Sequence, residues 1–206
     1  MNRNNQAVKW YPRLFTDDMV RELLADRKTA TRWPLRKQPV EDVSRRAGEW
    51  VWEDATGNTY RAPVCPGDII WAREAWAQED VAFPPVYRAD GTDMLGNKWT
   101  TEALFKIRWS PNIHMPRRVA RIFLRVTDMR LVRVQDISEE EAQAEGITPS
   151  TKQIVKFGRG MRVTTARQQF AALWNALYAA RGLGWDANPW VWAADFRLIS
   201  KAEAEE

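Results

Sequence analysis

The chain has one cysteine, Cys65, and one histidine, His114, among 206 residues. A lone thiol excludes an intrachain disulfide, and one thiol with one imidazole excludes a zinc site of the usual Cys/His kind. A hard cation held by carboxylates stays open, but no loop has calcium-binding spacing. No apolar run approaches the roughly 18 residues of a membrane span. The first residues, Met1-Asn2-Arg3-Asn4-Asn5-Gln6, hold no apolar signal core. There are no internal repeats and no low-complexity segments. These absences predict a reducing, cytoplasmic setting, no cofactor and no membrane partner. The oligomeric state stays open, with a monomer favoured.

The hydrophobic content of 45% and charged content of 28% belong to an ordinary globular chain, and this length defaults to a single domain over 1–206. The net charge of +4 is modest but unevenly spread. Residues 106–133 carry Lys106, Arg108, Arg117, Arg118, Arg121, Arg125, Arg130 and Arg133 against Asp128 alone. Residues 151–167 carry Lys152, Lys156, Arg159, Arg162 and Arg167 with no acid, while 136–145 hold five acids and no base. Segregation of this kind suggests a basic face for a polyanion; solvated strand edges and loops are the simpler alternative. Twelve tryptophans are many for this length. Trp50/Trp52 and Trp190/Trp192 are spaced two apart, so each pair shares one side of a strand. Most tryptophans are expected in the core, with one or two free to stack on a base.

Thr16 is placed to cap a helix over Asp17–Ala25. The Trp50–Trp52 and Thr59–Tyr60 segments predict a hairpin around Gly57-Asn58. Cys65-Pro66-Gly67-Asp68 predicts a turn launching a strand over Ile69–Trp76. A short strand is expected near Val86–Ala89 and others at Leu104–Trp109, Ala120–Thr127 and Trp190–Ile199; Leu131–Val134 continues or pairs with the third. Ser138-Glu139-Glu140-Glu141 is a capping box and Gly146 a stop, bracketing a helix over Glu139–Glu145. A second helix over Thr165–Ala180 presents Phe170, Leu173, Trp174 and Leu177 on one face. The stretches 33–64 and 77–103 read as insertions, and 200–206 as a frayed tail. Many strands with few helices suggest an α+β fold, a small mixed barrel with helices packed outside.

Asp26-Arg27-Lys28-Thr29-Ala30-Thr31-Arg32 packs three cations and two threonine hydroxyls into seven residues. That mix can grip a phosphate or an acyl oxygen and offer a nucleophile. Lys28 can act as a base toward Thr31, or both can be loop residues facing water. Glu145 falls in the last turn of a short helix, where an anion is unfavourable by about 0.3–1 kcal/mol. It is either an ordinary surface glutamate or a group kept for proton transfer. Arg73-Glu74 suits a pocket wall or, preferably, a buried ion pair. Ser110 with His114 lacks a nucleophile-elbow sequence.

Lys28-Thr29-Ala30-Thr31-Arg32, Pro66-Gly67-Asp68-Ile69-Ile70-Trp71-Ala72-Arg73-Glu74, Asp136–Ile147 and Trp185–Trp192 together resemble the ASCH domain, in the longer form found in phages and prophages. The resemblance spans most of 9–199. It implies a PUA-like (ASCH) pseudo-barrel with flanking helices and loop insertions, and a cleft suited to RNA or a nucleobase. Small bacterial ASCH proteins that this chain resembles deacetylate N4-acetylcytidine. The resemblance implies Thr31 as nucleophile, Lys28 as its base or activator, and Glu145 as proton carrier or orienter. Arg27, Arg32, Arg117, Arg118, Arg121, Lys156, Arg159 and Arg162 are the expected nucleic-acid contacts. The expected partner is RNA, a single-stranded nucleic acid or a modified nucleoside. A ribonuclease and a non-catalytic RNA or modified-base binder are the alternatives.

Overall fold

In the computed structural model, residues 8–39, 42–78, 83–148 and 164–206 are described. In chain order they form β1 (Trp10–Leu14), α1 (Asp17–Leu24), β2 (Ala30–Pro34), β3 (Val43–Arg45), β4 (Val51–Asp54), β5 (Thr59–Arg61), β6 (Ile69–Arg73), β7 (Trp76–Ala77), β8 (Val86–Tyr87) and β9 (Thr92–Asp93). Then follow α2 (Thr101–Lys106), β10 (Phe123–Arg133), α3 (Glu139–Ala144), α4 (Ala166–Tyr178), β11 (Trp190–Ile199) and α5 (Lys201–Glu205). The class is α+β. Three open sheets are present among the described residues, ordered β1-β6-β10-β11-β2, β3-β4-β5 and β7-β8-β9. The expected pseudo-barrel is therefore not closed. None of the described helices is long and apolar enough to cross a membrane.

The chain divides into two compact units. Within the described residues, the first takes 27–65 and 127–195, the second 8–26, 66–126 and 196–206. The segment 33–64 belongs to the first unit and 77–103 to the second.

In the first unit β2 pairs antiparallel with β11, Thr31 opposite Ala194 and Arg32 opposite Ala193. The expected hairpin forms between β4 and β5, and β3 adds a third strand to it. Trp52 meets Trp192 edge-on at 5.2 Å, so one tryptophan of each pair packs on one of the other. Ser138 caps α3 and Glu141 returns the bond, completing the capping box. Gly146 at φ +84° lets the chain turn left-handed and stop the helix. α4 buries Phe170 and Trp174 against Val134, Ile137, Ala142 and Val191. Each such ring contributes about 1.5–3 kcal/mol by leaving water. Leu173 and Leu177, expected on the same face, lie on the flank and stay 40% and 45% exposed.

In the second unit β1 runs parallel to β6, and β10 pairs antiparallel with β6. Their core gathers Ile69, Trp71, Tyr87, Met115, Val119 and Phe123. Thr16 caps α1 as predicted. Two readings are corrected here. Leu104–Trp109 is not a strand: Thr100 caps α2, and Glu102 and Lys106 pair across one turn at 2.9 Å. The 200–206 tail is not frayed: Ser200 accepts from the Glu203 amide at 3.0 Å and starts α5, which buries Ala204.

Candidate functional site

The helix stop at Gly146 decides where Glu145 goes. Glu145 is the C-cap of α3, and its backbone forms an isolated antiparallel bridge with Lys28. The Thr29 amide donates to the Ala144 carbonyl at 2.8 Å, and Lys28 Nζ donates to the Glu145 carbonyl at 2.9 Å. The loop before β2 thus satisfies the orphan carbonyls of α3, and an ammonium sits at the negative end of the helix.

The same ammonium donates to Glu145 Oε2 at 2.8 Å and to the Ala30 carbonyl at 2.9 Å. All three Lys28 protons are thereby used. The Lys28 side chain is fully buried and that of Glu145 is 7% exposed. The second Glu145 oxygen takes Arg32 at 3.2 Å, and Arg32 reaches Glu141 at 2.9 Å. Glu141 continues to Arg130 at 2.6 Å, and Arg130 grips both oxygens of Asp195 at 3.1 and 3.0 Å. The result is a ladder of alternating charge, Lys28–Glu145–Arg32–Glu141–Arg130–Asp195. Burial opposes ionisation of Glu141, but the Arg130 hydrogen bond, the Ser138 amide and the charge of Arg32 outweigh it and hold the carboxyl below its ordinary value. Arg130 is held above its own, burial being outweighed by Glu141 and Asp195.

The structure therefore brings Lys28 and Glu145 together and adds Arg32. Arg32, expected on a nucleic-acid face, is 6% exposed and spent on two carboxylates. Thr31 does not join them. Strand alternation sends its side chain to the face of β2 opposite that of Arg32, in a half-buried position. Glu141, Arg130 and Asp195 were missed by sequence reasoning. The one available signal was parity: Lys28, Ala30 and Arg32 share one side of an extended chain.

The expected basic face is reduced as well. Arg121 is not a free phosphate contact. It takes both Glu74 oxygens at 2.8 Å, reaches Asp90 at 2.9 Å and covers the Tyr87 ring at 4.0 Å. Glu74 is fully buried and does form an ion pair, but with Arg121; Arg73, the neighbour named with it, donates instead to the Ile113 carbonyl at 3.0 Å. Burial pushes the Glu74 carboxyl above its ordinary range against the pull of Arg121. The guanidinium, held by Glu74 and Asp90, stays charged throughout. Arg27, Arg117 and Arg118 are exposed. Arg117 lies over Trp10, and with Arg118 it lines a cleft of about 340 Å³. Lys156, Arg159 and Arg162 lie outside the described residues.

No family model matches the chain, and no curated protein does. Among solved structures it is similar to protein EF3133 from Enterococcus faecalis V583, described with the family DUF984. That likeness covers 96% of this chain and 85% of the other, at 12% identity and a TM-score of 0.43. Overlap at that level is too low to carry fold or function.

Proposed function

We propose that the protein is a PUA-like protein of the ASCH type that acts on a nucleobase, hydrolysing the amide of an N4-acylated cytidine. The observation that carries this is the Lys28–Glu145 contact at 2.8 Å between groups 117 residues apart. A carboxylate held in place by a buried ammonium and a guanidinium is oriented for passing a proton from a nucleophile to a leaving amine. Glu145, at 7% the least enclosed side chain of the three, is the group that meets substrate. Lys28 and Arg32 act through it. Water then attacks the acyl carbon, the C–N bond breaks, and the amine leaves with the proton Glu145 held. Thr31, the nucleophile implied by the resemblance, faces the other side of β2 and would have to be reached from there.

Incubating the protein with N4-acetylcytidine and following the products by mass spectrometry tests this. Cytidine and acetate are the expected products, and Glu145→Gln should abolish them. Turnover kept in Thr31→Val assigns the attack to water; turnover lost assigns it to Thr31. No conversion by the unaltered protein overturns the reading. A parallel incubation with labelled single-stranded RNA separates the ribonuclease alternative, which would show as cleavage on a gel. A non-catalytic binder is favoured by one observation: Arg117 and Arg118 line a cleft and have no ion-pair partner among the described residues.

A further inference from the structure

Some cations of the second unit are paired with carboxylates, and several, Lys9, Lys98 and Arg108 among them, are exposed without an ion-pair partner among the described residues. Arg88, Arg121, Arg125 and Arg197 are each matched to a carboxylate within 4 Å. Arg117, Arg118 and Lys201 are exposed and have no ion-pair partner among the described residues. Those three line a single cleft of about 340 Å³, with Trp10, Phe123 and one acid, Glu205. Fixed, solvated cations of one sign around a concavity are an arrangement that a bound anion completes.

The floor of the cleft limits which anion. Phe123 is buried and meets Trp10 edge-on at 5.8 Å, with the rings at 81°, which fixes the indole. The Arg117 guanidinium lies 4.6 Å from the Trp10 ring centroid. A guanidinium held over an indole can offer its other side to a second flat ring, and arginine planes stack nucleobases in that way. Its N–H groups have no hydrogen-bond partner among the described residues and suit phosphate oxygens. The volume lies within the range of small-ligand sites, about 300–1,000 Å³. Inorganic phosphate alone would leave the stacked platform unused, and an uncharged nucleoside would leave the cations unmatched.

We propose that this cleft is a nucleotide site. The base stacks on the Trp10–Arg117 pair, and the phosphate is held by Arg118 and Lys201. The ligand is a nucleoside monophosphate, either free or as one residue of a single strand. The site is distinct from Lys28–Glu145 and does not depend on turnover there.

The test is calorimetric titration of the whole protein, at low salt, with cytidine monophosphate, adenosine monophosphate, cytidine, inorganic phosphate and an eight-nucleotide single strand. Both monophosphates should bind at least tenfold more tightly than cytidine or phosphate. The single strand separates the two sources. Affinity that rises several-fold per strand assigns the site to nucleic acid, and affinity no higher than the monophosphates' assigns it to free nucleotide. Arg118→Ala with Lys201→Ala should weaken the monophosphates at least tenfold, without moving the melting temperature, because both residues are exposed. Arg117→Lys, which keeps the charge and loses the plane, should weaken the monophosphates while leaving phosphate unchanged. Equal affinity for cytidine and its monophosphate overturns the proposal. So does monophosphate binding that survives the Arg118/Lys201 double variant.

Discussion

Lys28 is the residue whose environment most changes what a substitution would mean. As a loop residue it would be free to change with little effect on folding. As the buried hub of three hydrogen bonds it is not. Removing one partner of a buried ion pair costs about 3–5 kcal/mol, because the other charge is left uncompensated. Lys28→Met should lose that much in urea denaturation, against a change under about 0.5 kcal/mol for Thr31→Val, which breaks no such contact. Glu145→Gln keeps shape and an acceptor for Lys28, so it should lose less than half as much as Lys28→Met. That makes it the cleaner probe of chemistry. A Lys28→Met protein as stable as the parent would show that the ammonium carries no structural load. Legibility at this scale was uneven. Lys28 and Glu145 stood out, one through its hydroxyl-flanked loop and the other through an anion at the wrong end of a helix. Arg32 was misassigned because a run of cations in sequence does not say which of them face inward. Trp10 and Lys201, which share a cleft with Arg117, sit too far apart in the chain for any motif to join them.

Helix ends were the most readable elements, because capping is chemistry within four residues. Thr16, Ser138 and Thr165 each accept the amide three residues on. The same rule, applied at Ser200-Lys201-Ala202-Glu203, would have found α5. Leu104–Trp109 misled because its apolar residues alternate as well as cluster. The Thr100 cap decided for helix, at the cost of a strand pattern. Two hairpin turns show a further signal. Asp54-Ala55-Thr56-Gly57-Asn58 and Asp93-Met94-Leu95-Gly96-Asn97 share one geometry: the asparagine amide donates to aspartate Oδ1 at 2.9 Å in both, and its side chain to Oδ2 at 3.1 and 3.0 Å. Burial opposes ionisation of Asp54, but bonds from Thr56, Tyr60 and Asn58 hold its carboxyl well below the usual range. Gly57 sits at φ +83°, and a Cβ there would meet nothing closer than Glu53 Oε1 at 4.0 Å. Gly57→Ala should therefore cost about 1 kcal/mol from backbone strain alone. Gly57→Asn should cost less, since asparagine tolerates the left-handed region. Thermal denaturation of the pair checks this, and equal losses would point to a steric cause instead.

At the scale of the whole molecule, much of the charge among the described residues is paired, and the cations of 106–133 do not form one face. The Arg-rich stretch 106–133 looked like one polyanion surface, yet Arg121, Arg125 and Arg130 are bound to Glu74 and Asp90, to Glu203, and to Glu141 and Asp195. A chain held by matched charges is sensitive to acid, and the sign can be worked out. Among the described residues Asp54, Asp90, Asp93, Glu139, Glu141 and Glu203 are held below their ordinary values in the folded state. For Glu139 the first cause is the Arg167 amide, and for Glu203 it is the Arg197 guanidinium; for the others, hydrogen bonds outweigh burial. A depressed carboxyl contributes stability above its unfolded pKa, about 4, and loses it as pH falls through the lower folded value. Glu74 acts in the opposite sense: its raised folded value favours the neutral form, a contribution present in acid and lost as pH rises through that value. Six groups against one give a net loss toward acid. Protonation also adds to a net charge already at +4, so self-repulsion works in the same direction. Urea denaturation should therefore give a flat plateau from pH 7 to about 5 and a steep fall between about 5 and 3. Arg130→Met removes the guanidinium that depresses Glu141, so it should lower the plateau and make the fall shallower. A stability that holds or rises between pH 5 and 3 would mean that Glu74 outweighs the ladder, and that charge pairing is incidental to what holds the fold.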